Sequence, residues 1–224
     1  MADVHPKVKE LLSRTYHDQR SEAWLQLREG MLTASDIATA LGVNRYETPE
    51  KLLMKKVLKL KWAGNAATQH GTLLEPIARD LYDARYGKKS HEIGLVQHPV
   101  HKWLGGSPDG VTEDGMLIEI KCPLTRKIES KVPVHYMPQI QLLLEILDLE
   151  ECDFIQYRPE GEKPEEFNVV RVKRSREWFA ESLPVLEAFW ERVQAAKRNG
   201  LCEVEPEMTP YTPVNEYVCY IQSE

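Results

Sequence analysis

The sequence predicts an α/β domain in which a mixed central β-sheet is flanked by helices and the N-terminal part is helical. Three observations carry this. Apolar residues recur at helical spacing, between caps and stops, as far as Gly87; residues 91–121 change to short runs punctuated by Gly and Pro; a helix, two strands and a long helix follow. A chain of 224 residues has the length of one sizeable domain rather than two, so 1–224 is taken as a single domain whose residues 201–224 form an acidic, Pro-containing tail.

The elements follow in order. Ser21 caps a helix carrying Trp24 and Leu27 on one face, and Thr33 caps the next, Ala34 to Leu41, which Gly42 stops. Pro49 opens a lysine-rich helix to Leu60. Thr72 opens a fourth, with Leu74, Ile77, Ala78 and Leu81 at helical spacing and Gly87 at its end. Strands are expected over His91–His98 and Lys102–Gly106, and Glu113-Asp114-Gly115 is a hairpin turn feeding a strand from Met116 to Lys121. A helix from Val134 to Leu147 precedes strands near Cys152–Arg158 and Phe167–Lys173. Ser175 caps the last helix, to Asn199, with a bend expected at Pro184, and the tail is expected to be irregular.

Bulk properties exclude several classes. The first twelve residues carry His5, Lys7, Lys9 and Glu10, which fits neither a signal nor a transit peptide, and no apolar run approaches a membrane span. Cys122, Cys152, Cys202 and Cys219 are scattered, without metal-ligand spacing, so zinc, an iron–sulfur cluster and a disulfide framework are not expected and a reducing, cytoplasmic setting is. Net charge is −6, but residues 201–224 hold five Glu and no Lys or Arg, which leaves 30 acids against 29 bases in the first 200 residues. Lys51, Lys55, Lys56, Lys59 and Lys61 crowd one segment. A near-neutral body with local basic surface is compatible with DNA binding without requiring it. The Lys51, Lys55, Lys59 stripe fits a phosphate-tracking face and a solvated helix face equally well. The histidines lack mutual ligand spacing and are read as structural.

Chemistry concentrates in the hairpin. With period two, Met116, Ile118 and Ile120 face a core while Glu119 and Lys121 point together to the other side. The turn brings Asp109 alongside, on the preceding strand or at its bulged end. Two carboxylates with nearby backbone carbonyls are the hard oxygen donors that Mg²⁺ or Mn²⁺ prefers, and a lysine beside them can orient water and offset developing negative charge. The same alternation is also that of a solvated sheet face with outward charges.

Ser107-Pro108-Asp109-Gly110 followed by Glu119-Ile120-Lys121 resembles the Pro-Asp…Glu-x-Lys signature of restriction-endonuclease-like PD-(D/E)XK nucleases. More narrowly, the chain resembles the lambda exonuclease (YqaJ-type viral recombinase) family: Trp24-Leu25-Gln26-Leu27-Arg28 leading to Thr33-Ala34-Ser35, Gly71 through Glu75, and Met137-Pro138-Gln139-Ile140-Gln141 match its other motifs in order. The resemblance implies a restriction-endonuclease-like core. It makes Asp109 and Glu119 metal ligands with the carbonyl of Ile120, Lys121 the catalytic lysine, Glu75 a further carboxylate, and Gln141 a residue facing the site. Thr72-x-x-Glu75 is also a capping box, and Gln141 also fits an exposed helical position. Many relatives place a tyrosine four residues after this glutamine, where this chain has Glu145. Arg28, Ser35 and Ser107 would bind phosphate; Arg28 offers a planar fork, and Ser35 lies in the first turn of a helix, where free N–H groups attract anions. A capping hydroxyl and a surface ion pair are their plainer roles. Arg45, on the loop after Gly42, is within reach of a DNA groove or of solvent alone.

The hairpin residues predict a divalent-metal-dependent nuclease, with Mg²⁺ expected and Mn²⁺ also fitting, and the resemblance implies a 5′-to-3′ exonuclease on double-stranded DNA ends that leaves 3′ single-stranded overhangs for recombination. The resemblance further implies a homotrimeric ring around DNA and a single-strand annealing protein as partner. A structure-specific or repair endonuclease on the same fold, and a non-catalytic DNA-binding protein, are the alternatives.

Overall fold

A computed structural model describes residues 4–60, 64–161, 165–201 and the backbone of 219–220. The N-terminal half is helical: α1 (Pro6–Leu12), α2 (Glu22–Glu29), α3 (Ile37–Ala40), α4 (Pro49–Leu58) and α5 (Ala66–Tyr86), with the two-residue strand β1 (Leu32–Thr33) before α3. Short strands follow as β2 (Ser90–His91), β3 (Val96–Gln97), β4 (Leu104–Gly106) and β5 (Gly110–Thr112), then β6 (Met116–Lys121), α6 (Met137–Leu147), β7 (Glu151–Arg158), β8 (Glu166–Lys173), α7 (Arg176–Asn199) and β9 (Cys219–Tyr220).

The larger sheet has the order β2-β5-β6-β7-β8-β9; only β6 and β7 run parallel, joined through α6, and the rest pair antiparallel. A smaller sheet, β1-β4-β3, is also mixed. The long strands are covered on both faces. Ile118, Ile120, Ile155 and Tyr157 pack with Ala78 and Tyr82 of α5, while Leu117, Cys152 and Phe154 join the main core with α6 and α7. The alternation expected in β6 is therefore present, but Glu119 points into the main core beneath α6 rather than to a solvated surface, with Lys121 at its edge.

Caps fall where short polar residues precede apolar periods. Ser21 Oγ accepts from Trp24 N, Thr48 Oγ1 from Lys51 N, and Ser175 Oγ from Trp178 N. Gly115 turns the β5–β6 hairpin at φ +93°, and Gly87 ends α5 at φ +60°, conformations that a Cβ disfavours.

Four expectations need correction. α5 begins at Ala66, capped by Asn65 Oδ1 on Thr68 N at 2.9 Å, so Thr72 lies inside the helix and opens nothing. His91–His98 is not one strand, since His91 pairs with β5 in one sheet and Val96–Gln97 with β4 in the other. Thr33 caps a 3-10 turn (Ala34–Asp36) and only four α-helical residues follow. Finally, within the expected irregular tail, Cys219–Tyr220 adds a strand to β8; residues 202–218 and 221–224, with Lys61 and the Cys202 and Cys219 thiols, lie outside the described residues. No described helix is long and apolar enough to cross a membrane.

Where α5 crosses the sheet, one buried carboxylate serves as a node. Asp153 Oδ2 accepts from Tyr82 Oη at 2.6 Å and from Arg171 Nη2 at 2.9 Å, and its Oδ1 accepts from Arg171 Nε at 2.6 Å. Asp153→Ala should lower unfolding free energy by about 2–3 kcal/mol, since it strands the buried Tyr82 hydroxyl and leaves the half-buried Arg171 with Glu151 alone. Tyr82→Phe should cost only about 1 kcal/mol, because Arg171 still pairs the carboxylate. Urea unfolding midpoints of the two variants measure the difference.

Candidate active site

A cavity of about 660 Å³ opens where α5 meets the end of β6; Arg20, Tyr46, Gly71, Thr72, Glu75, Asp109, Ile120, Lys121 and Tyr136 are among its walls. Asp109 precedes β5 and is fixed from both ends: its Oδ2 accepts from Ile120 N at 2.7 Å and its carbonyl oxygen from Arg79 Nη1 at 2.7 Å. Hairpin register sets this pairing, since Gly110 lies opposite Ile118. Glu119 is 0% exposed. Its Oε1 accepts from Gln139 Nε2 at 2.6 Å and from Lys121 Nζ, whereas its Oε2 is buried with no hydrogen-bond partner. Lys121 Nζ also lies 5.3 Å from the centroid of the Tyr136 ring, within cation–π range.

The electrostatics follow from burial. Desolvation, with the negative charge of Asp109 adding to it, pushes the Glu75 carboxyl up to about 7 and the Glu119 carboxyl up to about 8; Lys121 opposes both shifts. For Lys121 burial disfavours the ammonium, but Glu119 and Asp109 overcome it and hold the group charged. Arg20 reaches Glu75 at 3.5 Å from a backbone at φ +71°.

This donor set fits a hard divalent cation. Burial and the neighbouring negative charge of Asp109 raise the proton affinity of Glu75 and Glu119, and a buried Glu119 oxygen lacks a partner. Among the described residues no three such side chains close into a ligand cage. Glu119 Oε1 is instead held by Lys121 and Gln139.

The sequence-predicted residues fall into three groups. Asp109, Glu119, Lys121, Ile120 and Glu75 converge, and the capping-box reading of Glu75 is excluded by the earlier start of α5. Arg28, Ser35 and Ser107 form a second group linked through Trp24. Arg28 Nη2 donates to Thr33 Oγ1 at 3.1 Å and Ser35 Oγ at 2.9 Å, its guanidinium lies 4.3 Å from the Trp24 ring, and Trp24 Nε1 donates to Ser107 Oγ at 3.0 Å. Burial pulls the Arg28 pKa down while Asp36 opposes the shift, and no carboxylate hydrogen-bonds this arginine among the described residues. Ser35 lies in a 3-10 turn before a four-residue helix, so its anion-binding capacity rests on Arg28 and the hydroxyls rather than on a helix dipole. Arg45 is exposed and stacks on Tyr46. Part of the lysine stripe is committed elsewhere, with Lys55 paired to Glu47 and Lys59 to Glu29.

Gln141 is the third group, and it is a correction. The residue is 2% exposed, but its Nε2 donates to Lys173 O at 2.8 Å and its Oε1 accepts from Ser175 N at 2.7 Å, tying the end of β8 to the start of α7. Glu145, one turn on, accepts from Arg174 on the same side. Residues two apart on a helix point about 200° away from each other, so only Gln139 reaches Glu119. Sequence reasoning also missed Arg20, Tyr46, Tyr136 and the bridging role of Trp24; Trp24 and Gln139 stood within matched motifs and were readable there, whereas Arg20 and Tyr46 carried no signal.

Known proteins are similar to this chain. The model of the YqaJ-like viral recombinase domain family matches residues 23–150. The chain is 32% identical over 158 residues to an uncharacterized protein of Acanthamoeba polyphaga mimivirus, covering 62% of this chain and 29% of that protein. Over 156 residues it is 33% identical to a protein of African swine fever virus, covering 55% and 44%. The chain thus spans less than half the length of these two curated relatives. Among solved structures, LHK-Exo in complex with dAMP superposes with a TM-score of 0.68 at 30% identity, covering 80% of this chain and 95% of that one. The alkaline exonuclease LHK-Exo of Laribacter hongkongensis does so at 0.67. The mixed α/β fold is that of these exonucleases.

Removing the Gln141 amide should act on stability. Gln141→Ala leaves the Ser175 N–H and Lys173 carbonyl without their partner and should lower unfolding free energy by about 1–3 kcal/mol, read as a shift in the urea midpoint.

Proposed function

Because the chain belongs to the YqaJ-like viral recombinase domain family, we propose that it is a divalent-metal-dependent deoxyribonuclease that degrades double-stranded DNA from its 5′ ends. The observation carrying this reading is the convergence of Asp109, Lys121 and Glu75 at the cavity, with Glu119 buried beside them and one of its carboxylate oxygens unpartnered. Asp109, Glu119 and the Ile120 carbonyl would hold Mg²⁺ or Mn²⁺, with Glu75 alongside. When bound, such an ion supplies Lewis acidity at the phosphoryl oxygen and an acidified water. Lys121, kept charged by Glu119, is placed to orient the attacking water and to offset negative charge on the phosphate. Gln139 holds Glu119 from the other side. The Tyr136 ring lies beside the ammonium, within cation–π range.

Exonucleolytic action on 5′ ends draws support from the second cluster. Arg28, Ser35 and Ser107 form a cationic, hydroxyl-lined group suited to a terminal phosphate, with Ser107 two residues before Asp109 in the chain; a phosphate held there would set the scissile bond at the carboxylates. LHK-Exo was crystallised with dAMP, a deoxynucleoside monophosphate of the kind that stepwise cleavage would release. The family reading extends to 3′ overhangs for strand annealing, a single-strand annealing protein as partner, a homotrimeric ring as the assembly and the cytoplasm as the place of action.

Asp109→Ala or Glu119→Ala should abolish hydrolysis of linear duplex while leaving DNA binding within a few-fold, and EDTA should do the same to the parent. Lys121→Ala should lower kcat strongly with little change in end affinity. Near-parental rates in any of the three would contradict the assignment. Initial rates on 5′-phosphorylated and 5′-hydroxyl duplexes test the second cluster. Arg28→Ala should slow the phosphorylated substrate by about one to two orders of magnitude, the size of one charge-assisted bond, and leave the hydroxyl substrate unaffected. Equal losses on both substrates would remove Arg28 from end recognition.

A further inference from the structure

Tyr46 is 64% exposed, yet it is firmly held. Its N–H donates to Asn44 Oδ1 at 3.0 Å, and Asn44 Nδ2 donates to the buried Thr39 Oγ1 at 2.8 Å. The Arg45 guanidinium lies 4.7 Å from the ring centroid and donates to its hydroxyl, and His135 meets the ring edge-on at 5.6 Å and 86°. No core burial accounts for the ring, but its contacts fix its orientation. It lines the same cavity as Glu75, Asp109 and Lys121.

Gly71 supplies an independent observation. It lies inside α5, where glycine is the least favourable residue after proline. Its φ is not left-handed, and a Cβ added there would meet nothing within 4 Å. Nothing within the described protein therefore requires glycine at this position. The part of α5 that lines the cavity runs Ala67, Thr68, Gly71 and Thr72 before reaching Glu75, so this wall stays low up to the carboxylate.

We infer that Tyr46 is a stacking platform for a nucleobase of the strand being cut, in a slot that Gly71 keeps open. The inference rests on the nuclease reading above and adds how that site grips its substrate. Every nucleobase has a π-face, so stacking on tyrosine is indifferent to sequence, as an enzyme degrading arbitrary DNA requires. Arg45, already against the ring, adds a cation beside the stack and the neighbouring phosphate. Because Tyr46 shares its cavity with Asp109 and Lys121, the base is that of a nucleotide at or next to the scissile phosphate.

The test measures kcat/KM, with Mg²⁺, on duplexes bearing one abasic nucleotide at each of the first several positions from the 5′ end. The parent should lose about 5- to 150-fold at one position, the size of a single base–aromatic stack. Tyr46→Ala should show a similar loss on intact DNA and no further loss at that position, whereas Tyr46→Phe and Tyr46→Trp retain the parental pattern. Gly71→Leu should lower kcat/KM at least tenfold with an unfolding midpoint equal to or above that of the parent. A parent indifferent to abasic nucleotides at every position, or a Tyr46→Ala variant repeating the parental position-specific loss, would overturn the platform. Parental kcat/KM in Gly71→Leu would overturn the slot. A parent that cuts none of these duplexes would contradict the nuclease reading instead.

Discussion

A carboxylate in the middle of a sheet strand covered on both faces is the constraint from which the site follows. Stripping water from Glu119 costs several kcal/mol unless charge and hydrogen bonds offset it. The chain supplies the offset two residues along the same strand face, with Lys121, and from the facing helix, with Gln139. One oxygen nevertheless remains without a partner. A second carboxylate on the neighbouring strand end and a third on α5 intensify the strain rather than relieve it, as the raised proton affinities of Glu75 and Glu119 record. An arrangement serving stability alone would have placed apolar residues there. Under the proposed function, its physical sense is a cation that these carboxylates would hold.

The fold is what brings these groups together. The tight β5–β6 hairpin turns at Gly115 and sets Asp109 against the backbone of Ile120, while the parallel β6–β7 pair requires a crossover, which α6 provides. That crossover carries Gln139 to Glu119 on one face. On the other face α5 is seated by its Ala78 and Tyr82 contacts, which carry Glu75 to the cavity. The Tyr82–Asp153–Arg171 node holds the far end of the same helix on the sheet. Positioning in the site thus depends on packing at some remove from it.

Much of this was legible in the sequence, because local signals and tertiary outcome agree. The Ser21, Pro49 and Ser175 helix starts, the Gly42 and Gly87 stops and the Asp114-Gly115 turn are each decided within a few residues, and period two in Met116–Lys121 puts Glu119 and Lys121 on one side. What failed depended on information the local pattern lacks. Thr72 looked like a cap because Thr-x-x-Glu is one, but Asn65 after Gly64 had already opened the helix. Period two cannot say whether the polar side of a strand meets water or a helix, so the burial of Glu119 was invisible. Gln139 and Gln141 sit in one motif, and only the docked rotation of α6 decides which meets the strand. Tyr46 and Arg20 enter the cavity from loops, whose paths no periodicity encodes.

The most direct measurement of the central claim is hydrolysis of linear duplex labelled separately at each 5′ and 3′ end, beside a closed circular duplex, with and without Mg²⁺. The account predicts that 5′ label is released as mononucleotide only when Mg²⁺ is present, while 3′ label stays on long strands and circles remain intact. Hydrolysis that persists without divalent metal, or circles cut as fast as linear DNA, would contradict it.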